Sequence, residues 1–318
     1  MRAIVVAEFG EPEVLVIEDR ASLEPGDHEV VVRIRAAGVN PVDAYLRSGS
    51  QGYRRALPFT PGIDGAGEIA SVGRWVDDFA VGDRVWIGES LTGTYAEECL
   101  CRVDQVHSLP AKVSFERGAC LYVNYATAYR ALFQRGGLRR GDTVLIHGAT
   151  GGVGLAAVQW ARAEGLQVWA TFGSEAGRDL LKRQGITHLL DHVAPSHLSV
   201  LESQGVTFDC IVEMLANVNL EKDLDLMAQG GRVVVVGSRG SVTITPRKLM
   251  GREAEIRGMT LTGASEADRA AIYAAIEAAI QHGSIDPVIQ ETFPLARAPE
   301  AHRAVMEQRS HGKIVLVP

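Results

Sequence analysis

Nineteen consecutive residues without a charge, Thr143 to Ala161, constrain this chain more than any other segment. A run of that length could in principle cross a membrane as a helix. Its content argues otherwise. Four glycines and a histidine interrupt it, and its pattern changes midway from a strand at Val144–Ile146 to a helix at Gly154–Ala163. Between the two lies His147-Gly-Ala-Thr-Gly-Gly-Val-Gly154. A strand, a glycine turn and a helix N-terminus together make an anion site, because backbone N–H groups point outward and small residues let a pyrophosphate approach them. The usual fingerprint glycines fall on Ala149, Gly151 and Gly154, so alanine replaces the first. With Gly152 and Val153 completing the loop, dinucleotide binding is the expected role.

The chain around this loop has two grammars. Before it, short β-branched runs (Ala3–Glu8, Val14–Glu18, Glu29–Ala37, Ala66–Val72, Arg84–Ile87, Tyr95–Leu100) alternate with Gly, Pro and Asp turns, which reads as a small β-rich barrel-like module. From about Glu116 a helical stretch (Phe115–Leu132) leads into alternating strands and helices. The helices expected there include Glu175–Gln184 and Asn219–Met227. Alternation of this kind with wholly apolar strands specifies a parallel sheet covered on both faces, a doubly wound α/β domain. A further helix is expected at Ala267–Gln281, capped by Ser265 with Asp268 three residues on and stopped by Gly283. The domains expected are therefore a catalytic module at 1–123, completed by a returning tail at 266–318, and a nucleotide-binding domain at 124–265.

Composition narrows the function classes. The chain has 318 residues, 46% apolar, with a formal charge of −7. No basic block stands out beyond Arg135, Arg139 and Arg140, which read as a solvated turn, so no nucleic-acid partner is expected. Four cysteines are too few and too uneven for a disulfide framework and read as buried apolar residues of a reducing compartment. The first residues lack the pattern of a signal peptide. A cytoplasmic protein without a membrane segment is expected.

Two further checks bear on the cofactor and on metal. Enzymes that take NAD place an acid on the ribose hydroxyls at the end of the second strand. Here that strand ends Ala170-Thr-Phe-Gly-Ser174, with no carboxylate at its tip. Ser174 can hydrogen-bond a 2′-phosphate and Arg178 can neutralise it, although Arg178 also reads as an ordinary exposed helix charge. The balance favours NADPH. A catalytic zinc requires Cys, His and Glu ligands; the corresponding stretches read Gly38-Val-Asn40-Pro-Val-Asp43 and Pro61-Gly62-Ile-Asp64, so no metal is expected. His147 is a conceivable general acid, but a residue there more often just ends a core strand.

Several runs together resemble the zinc-independent medium-chain dehydrogenases/reductases, and among them the zeta-crystallin-like NADPH:quinone oxidoreductases. They are Ala37–Asp43, Tyr45–Gly49, Pro61–Gly67, Val81–Val85, Thr127–Leu132, His147–Leu155, Glu213–Leu220 and Gly231–Arg239. The resemblance implies a GroES-like catalytic domain wrapped around a Rossmann domain, with the active site in the cleft between them. It implies Asn40 and Tyr45 at the nicotinamide and substrate end, Tyr45 touching cofactor as well, and Thr127 beside the nicotinamide. Gly151 through Gly154 would take the pyrophosphate; Gly173, Ser174, Arg178 and His192 the adenosine phosphate end; Asn217 and Val236, Gly237, Ser238 and Arg239 would close over the cofactor. It further implies a small quinone as substrate and a homodimer or homotetramer. Two departures stand out: Gln51 occupies a position where relatives carry tyrosine, with Tyr53 two residues on, and Asn124 stands where they often have proline, a change expected only to alter the start of a helix. Reduction of an enone or enoyl thioester, and a non-enzymatic role as a structural crystallin or RNA binder, are the alternatives.

Overall fold

A computed structural model describes residues 1–194, 197–307 and 310–318. The chain divides into two compact units, Met1–Val123 with Pro287–Pro318, and Asn124–Asp286.

The first unit is built on one long strand. Glu29–Val39 is dense in β-branched residues, and its buried positions run through Val30, Val31, Val32, Ile34 and Ala36 to Val39. Three strands pair with it antiparallel: Glu98–Arg102 along its first half, Asp64–Val72 along most of its length, and Lys313–Val317 at its end. The sheet continues through Arg84–Gly88 to Val106–Ser108 on one side, and from the C-terminal strand to Ile289–Pro294 on the other. Its core gathers Val30, Val32, Ile34, Ile69, Val85, Ile87, Ile314 and Leu316. Each such side chain contributes about 1.5–3 kcal/mol when fully buried. The last strand, some 280 positions away in sequence, is thus held by the same apolar face as the first ones.

In the second unit six parallel strands lie in the order His188–Asp191, Gln167–Phe172, Thr143–Ile146, Phe208–Glu213, Met227–Val235, Glu255–Gly258. Numbered within the unit this is 3-2-1-4-5-6, the doubly wound Rossmann order, and the direction of travel reverses between Thr143–Ile146 and Phe208–Glu213. Ligands of such sheets bind at the carboxyl ends of those two strands.

Several elements differ from expectation. The helix read at Asn219–Met227 runs Ala216–Asp223, because the next strand begins at Met227 and Leu226, just before it, is buried in the same core. The single helix read at Phe115–Leu132 is broken into a short α-helical piece, Phe115–Gly118, and widened turns at Leu121–Ala126 and Arg130–Arg135 around Thr127–Tyr129. Helices at His197–Ser203, Pro246–Arg252 and Ala298–Glu307 were not anticipated. Helix Glu266–His282 has its reciprocal Ser265/Asp268 cap and ends at Gly283 with φ +79°, but it falls in the second unit instead of the returning tail. Among the described residues no helix is long and apolar enough to cross a membrane.

Candidate active site

The glycine loop opens the switch point of the second unit. Gly148 N donates to Thr171 Oγ1 at 2.9 Å and Ala149 N to Thr171 O at 3.2 Å, which anchors the loop to the neighbouring strand. Gly151 is the N-cap of helix Gly152–Ala163. No side chain caps that end and no acid lies in its first turn. Its first amides are thus left for an anion, which is what a pyrophosphate needs. Two glycines here are steric requirements. A Cβ on Gly154 would sit 2.3 Å from Gly148 O, and one on Gly152 would sit 2.6 Å from the Asn124 amide. Asn124 therefore packs on the loop itself, a contact that the sequence reading, which confined this residue to the start of a helix, did not foresee. Thr127 is buried three residues later, at the start of the short α-helical piece Thr127–Tyr129 between the widened turns.

At the end of strand Gln167–Phe172, Ser174 caps helix Glu175–Arg183 by accepting from Gly177 N at 3.1 Å. Arg178 lies on that helix, 3.3 Å from Glu175 and 3.7 Å from Asp179. His192 N donates to Phe172 O at 2.9 Å, and its imidazole lies so close to Gly173 that a Cβ there would be 2.4 Å from Nε2. Gly173, Ser174 and His192 are thus brought to one strand end; the strand itself ends without a carboxylate, while Asp191 of the neighbouring strand lies in register with Phe172. On the other side of the switch point, Asn217 Oδ1 accepts from Arg239 N at 2.8 Å and from Ser238 Oγ at 3.5 Å. Val236 N and Gly237 N both donate to Glu213 O. The structure therefore joins Asn217 and Val236–Arg239 into one pair of loops. The residues of this unit fit a dinucleotide: an uncapped helix start, glycines where no Cβ fits, and a strand tip without an acid.

Asn40 and Tyr45 belong to the first unit. Asn40 is the N-cap of helix Pro41–Ser48, and its N–H is taken by Asp43 Oδ2 at 2.8 Å. Its side chain is buried in a polar group that the sequence did not reveal. Asn40 Nδ2 donates to Asp64 Oδ2 at 3.1 Å, while the Lys313 ammonium donates to Asn40 Oδ1 and, at 2.7 Å, to the same Asp64 oxygen. The second Asp64 oxygen accepts from Val123 N at 2.7 Å. Gly38 makes the approach possible, since a Cβ there would lie 2.9 Å from both Asp64 Cβ and Lys313 Cε. Beneath this group Asp43 Oδ2 also accepts from Tyr95 Oη at 3.2 Å, and burial lifts the Asp43 carboxyl to about 7. A zinc does not fit. Asn40 and Asp64 are engaged by an ammonium that supplies the local positive charge. Cys99 and Cys101 contact one another in the unit's apolar core. Cys120 and Cys210 are buried too, and burial pushes their thiols up to about 12. Tyr45 is half-buried on the same helix as Asn40, with its ring stacked on Tyr53 at 5.9 Å. Gln51 is exposed, with φ +54°. Tyr53, not Gln51, thus supplies the aromatic neighbour of Tyr45.

His147 was noticed in the sequence; its partners were not. It is buried, with Nε2 2.9 Å from Asp223 Oδ1 and 3.6 Å from Glu213 Oε2. Burial lowers its pKa. A direct hydrogen bond to a buried carboxyl makes it part of the loop support, not an exposed acid.

Residues 26–126 match the family model "Alcohol dehydrogenase GroES-like domain", and residues 184–316 match "Zinc-binding dehydrogenase". The chain is 42% identical to the quinone oxidoreductase of Homo sapiens over 323 aligned positions, covering 100% of this chain and 98% of that one. Among solved structures, an NAD-dependent alcohol dehydrogenase superposes with a TM-score of 0.92 at 29% identity, with both chains fully covered. The mycobacterial Rv1454c complexed with NADPH superposes with a TM-score of 0.89, also at 29% identity and with both chains fully covered.

Proposed function

Because the chain belongs to the quinone oxidoreductase family of zinc-independent medium-chain dehydrogenases/reductases and is an NAD(P)H-dependent oxidoreductase, we propose that it takes NADPH and reduces small ortho-quinones without a metal. The observation that carries this reading is the engagement of Asn40 and Asp64 by the Lys313 ammonium. Where a metal enzyme needs a Lewis acid, this chain offers an amide, a phenol and a fixed cation. A quinone asks for no more than positioning and a hydrogen-bond donor.

When bound, NADPH supplies the hydride. The chain's residues do the rest. The uncapped amides of the Gly152–Ala163 helix would hold the pyrophosphate, and Ser174 with Arg178 would hold the 2′-phosphate. Asn217 and the Val236–Arg239 segment would cover the cofactor, and Thr127 would face its nicotinamide end. Asn40 is an amide fixed at both ends, so its orientation is preset. Tyr45, with no hydrogen-bond partner for its hydroxyl among the described residues, donates to the quinone oxygen as negative charge develops there. The protein acts as a cytoplasmic homodimer or homotetramer, the closed symmetry usual for such enzymes.

The test is loss of NADPH absorbance with 9,10-phenanthrenequinone, beside NADH and a simple enone. Fast quinone-dependent oxidation of NADPH with NADH poor supports the reading. Replacing Arg178 by Ala then narrows the NADPH preference by roughly tenfold or more, the worth of one charge-assisted hydrogen bond. Turnover of the enone without turnover of the quinone would move the chain to enone reduction.

A further inference from the structure

Glu213 and His147 occupy the two strand ends that flank the switch point of the second unit. Glu213 is the last residue of Phe208–Glu213, and His147 follows Thr143–Ile146, with its N–H on Val212 O at 3.0 Å. Asp223, the last residue of helix Ala216–Asp223, joins them. Both carboxyls are fully buried. Glu213 has two tasks. Its carbonyl receives Val236 N and Gly237 N, and its Oε1 receives Leu215 N and, at 3.3 Å, Asn219 Nδ2. It is the common anchor of the loop that carries Asn217 and the segment that Asn217 ties down.

The remaining oxygens do not balance. Glu213 Oε2 and Asp223 Oδ2 are buried with no donor among the described residues. His147 Nε2 has one hydrogen at most, and Asp223 Oδ1 at 2.9 Å takes it. The other charges bearing on the group are Lys222, next to Asp223, and His197, from helix His197–Ser203; neither bonds to it. Two ionised carboxylates in this position would each leave an unsatisfied oxygen in an apolar interior, at high cost. His147, Glu213 and Asp223 bring their polar atoms within 4.8 Å of one another, so a carboxyl proton on one acid, donated to the other, satisfies both.

We propose that Glu213 and Asp223 share one proton, held in place by His147, and that this proton fixes the paired loops at Leu215–Asn219 and Val236–Gly240, making Glu213 a positioning residue for dinucleotide binding. This role rests on the reading that those loops cover the cofactor. Burial, the largest influence on both groups, lifts each carboxyl to about 7. The shared proton is therefore present in mildly acid solution and is lost as pH rises. Its loss puts two like charges side by side beneath the loops and weakens binding, while saturated turnover is unaffected.

The experiment is the dissociation constant of NADH, read from protein fluorescence between about pH 6 and about pH 8.5, for the wild type, Glu213→Gln and Asp223→Asn. NADH is the probe because the 2′-phosphate of NADPH titrates in the same range. In Glu213→Gln the amide keeps an oxygen for Leu215 N and supplies a permanent donor toward Asp223. The wild-type constant should rise about fivefold or more across the range, within the limit of tenfold per pH unit for one proton. The profile of both variants should be flat and near the low-pH wild-type value. A flat wild-type profile, or a variant that keeps the wild-type slope, overturns the shared proton. Failure of NADH and NADPH to bind at any pH overturns the cofactor reading instead. In that case the thermal midpoint of Glu213→Gln relative to wild type decides: a gap that moves in the variant's favour with rising pH supports the proton, and parallel midpoints overturn it.

Discussion

Lys313 carries a buried ammonium between two side chains from the other end of the chain, and its removal separates electrostatic from steric roles. Lys313→Met keeps the length of the side chain but leaves Asp64 as an unpaired buried charge. Breaking such a pair from one side costs about 3–5 kcal/mol. Urea unfolding should show that loss, and adding Asp64→Asn should return part of it; a single variant as stable as wild type would contradict the buried pair. Tyr45→Phe probes chemistry in place of stability. It should lower quinone turnover by up to about 10²-fold while the dissociation constant of NADPH changes little, and equal losses in both would remove Tyr45 from the donor role. How far these residues were legible follows from separation along the chain. The glycine loop could be read because strand, turn and helix start are contiguous, and Asn40 and Tyr45 because short runs around them resemble known relatives. Lys313 and Asp64 are 249 positions apart, so no local pattern joins them. His147 drew notice for its place beside the loop, but its partners Glu213 and Asp223 come from a later strand and helix.

Two helices of the second unit show how one substitution changes sign with its element. Gly154 and Gly251 are both helical glycines. A Cβ at Gly154 meets Gly148 O at 2.3 Å and Ala149 Cα at 2.6 Å, whereas at Gly251 it meets nothing within 4 Å. Gly154→Ala must push helix Gly152–Ala163 away from the loop. It should cost about 1–3 kcal/mol and weaken dinucleotide binding more than it lowers the melting temperature would suggest. Gly251→Ala should stabilise the chain by about 0.5–1 kcal/mol, because it gains helix propensity in open space. Melting curves of the two variants beside wild type check both signs. The same contrast accounts for which elements could be read from the sequence. Helix Glu266–His282 was evident because Ile272, Ile276 and Ile280 repeat along one face and both its caps are side-chain or glycine signals. Most strands of the two larger sheets were evident from β-branched runs, but the short edge strands Val106–Ser108, Glu255–Gly258 and Ile289–Pro294 were not read. Pro246–Arg252 has no buried residue and so no apolar stripe to find. The widened turns at Arg130–Arg135 keep the composition of an ordinary helix, and their irregularity follows from packing that no local pattern records.

The stability of the whole molecule reflects buried groups with opposed titrations. Burial lifts Asp43, Glu213 and Asp223 to about 7, so the native chain keeps protons there that the unfolded chain releases from about pH 4 upward. Their contribution is present at low pH and is lost as pH rises through about 7. His302 acts the other way. It is buried with Nε2 3.3 Å from Tyr95 Oη, its Nδ1 has no partner among the described residues, and burial together with the nearby Arg47 charge pushes it down to about 3. The unfolded chain therefore takes up a proton near pH 6.5 that the native chain refuses, and stability falls as pH drops from there toward 3. Between about pH 4.5 and 6.5 the two effects oppose each other, and His302 offsets part of the carboxyl slope. His302→Gln removes only the acid-side slope and keeps a polar partner for Tyr95. Relative to wild type, the variant should gain stability as pH falls from about 6.5 to about 4.5, by up to about 1.4 kcal/mol per unit. Urea unfolding followed by circular dichroism at three pH values reads that difference directly. Parallel curves for the two proteins would mean that His302 titrates alike in the folded and unfolded chains, and that its burial does not shape the acid limb.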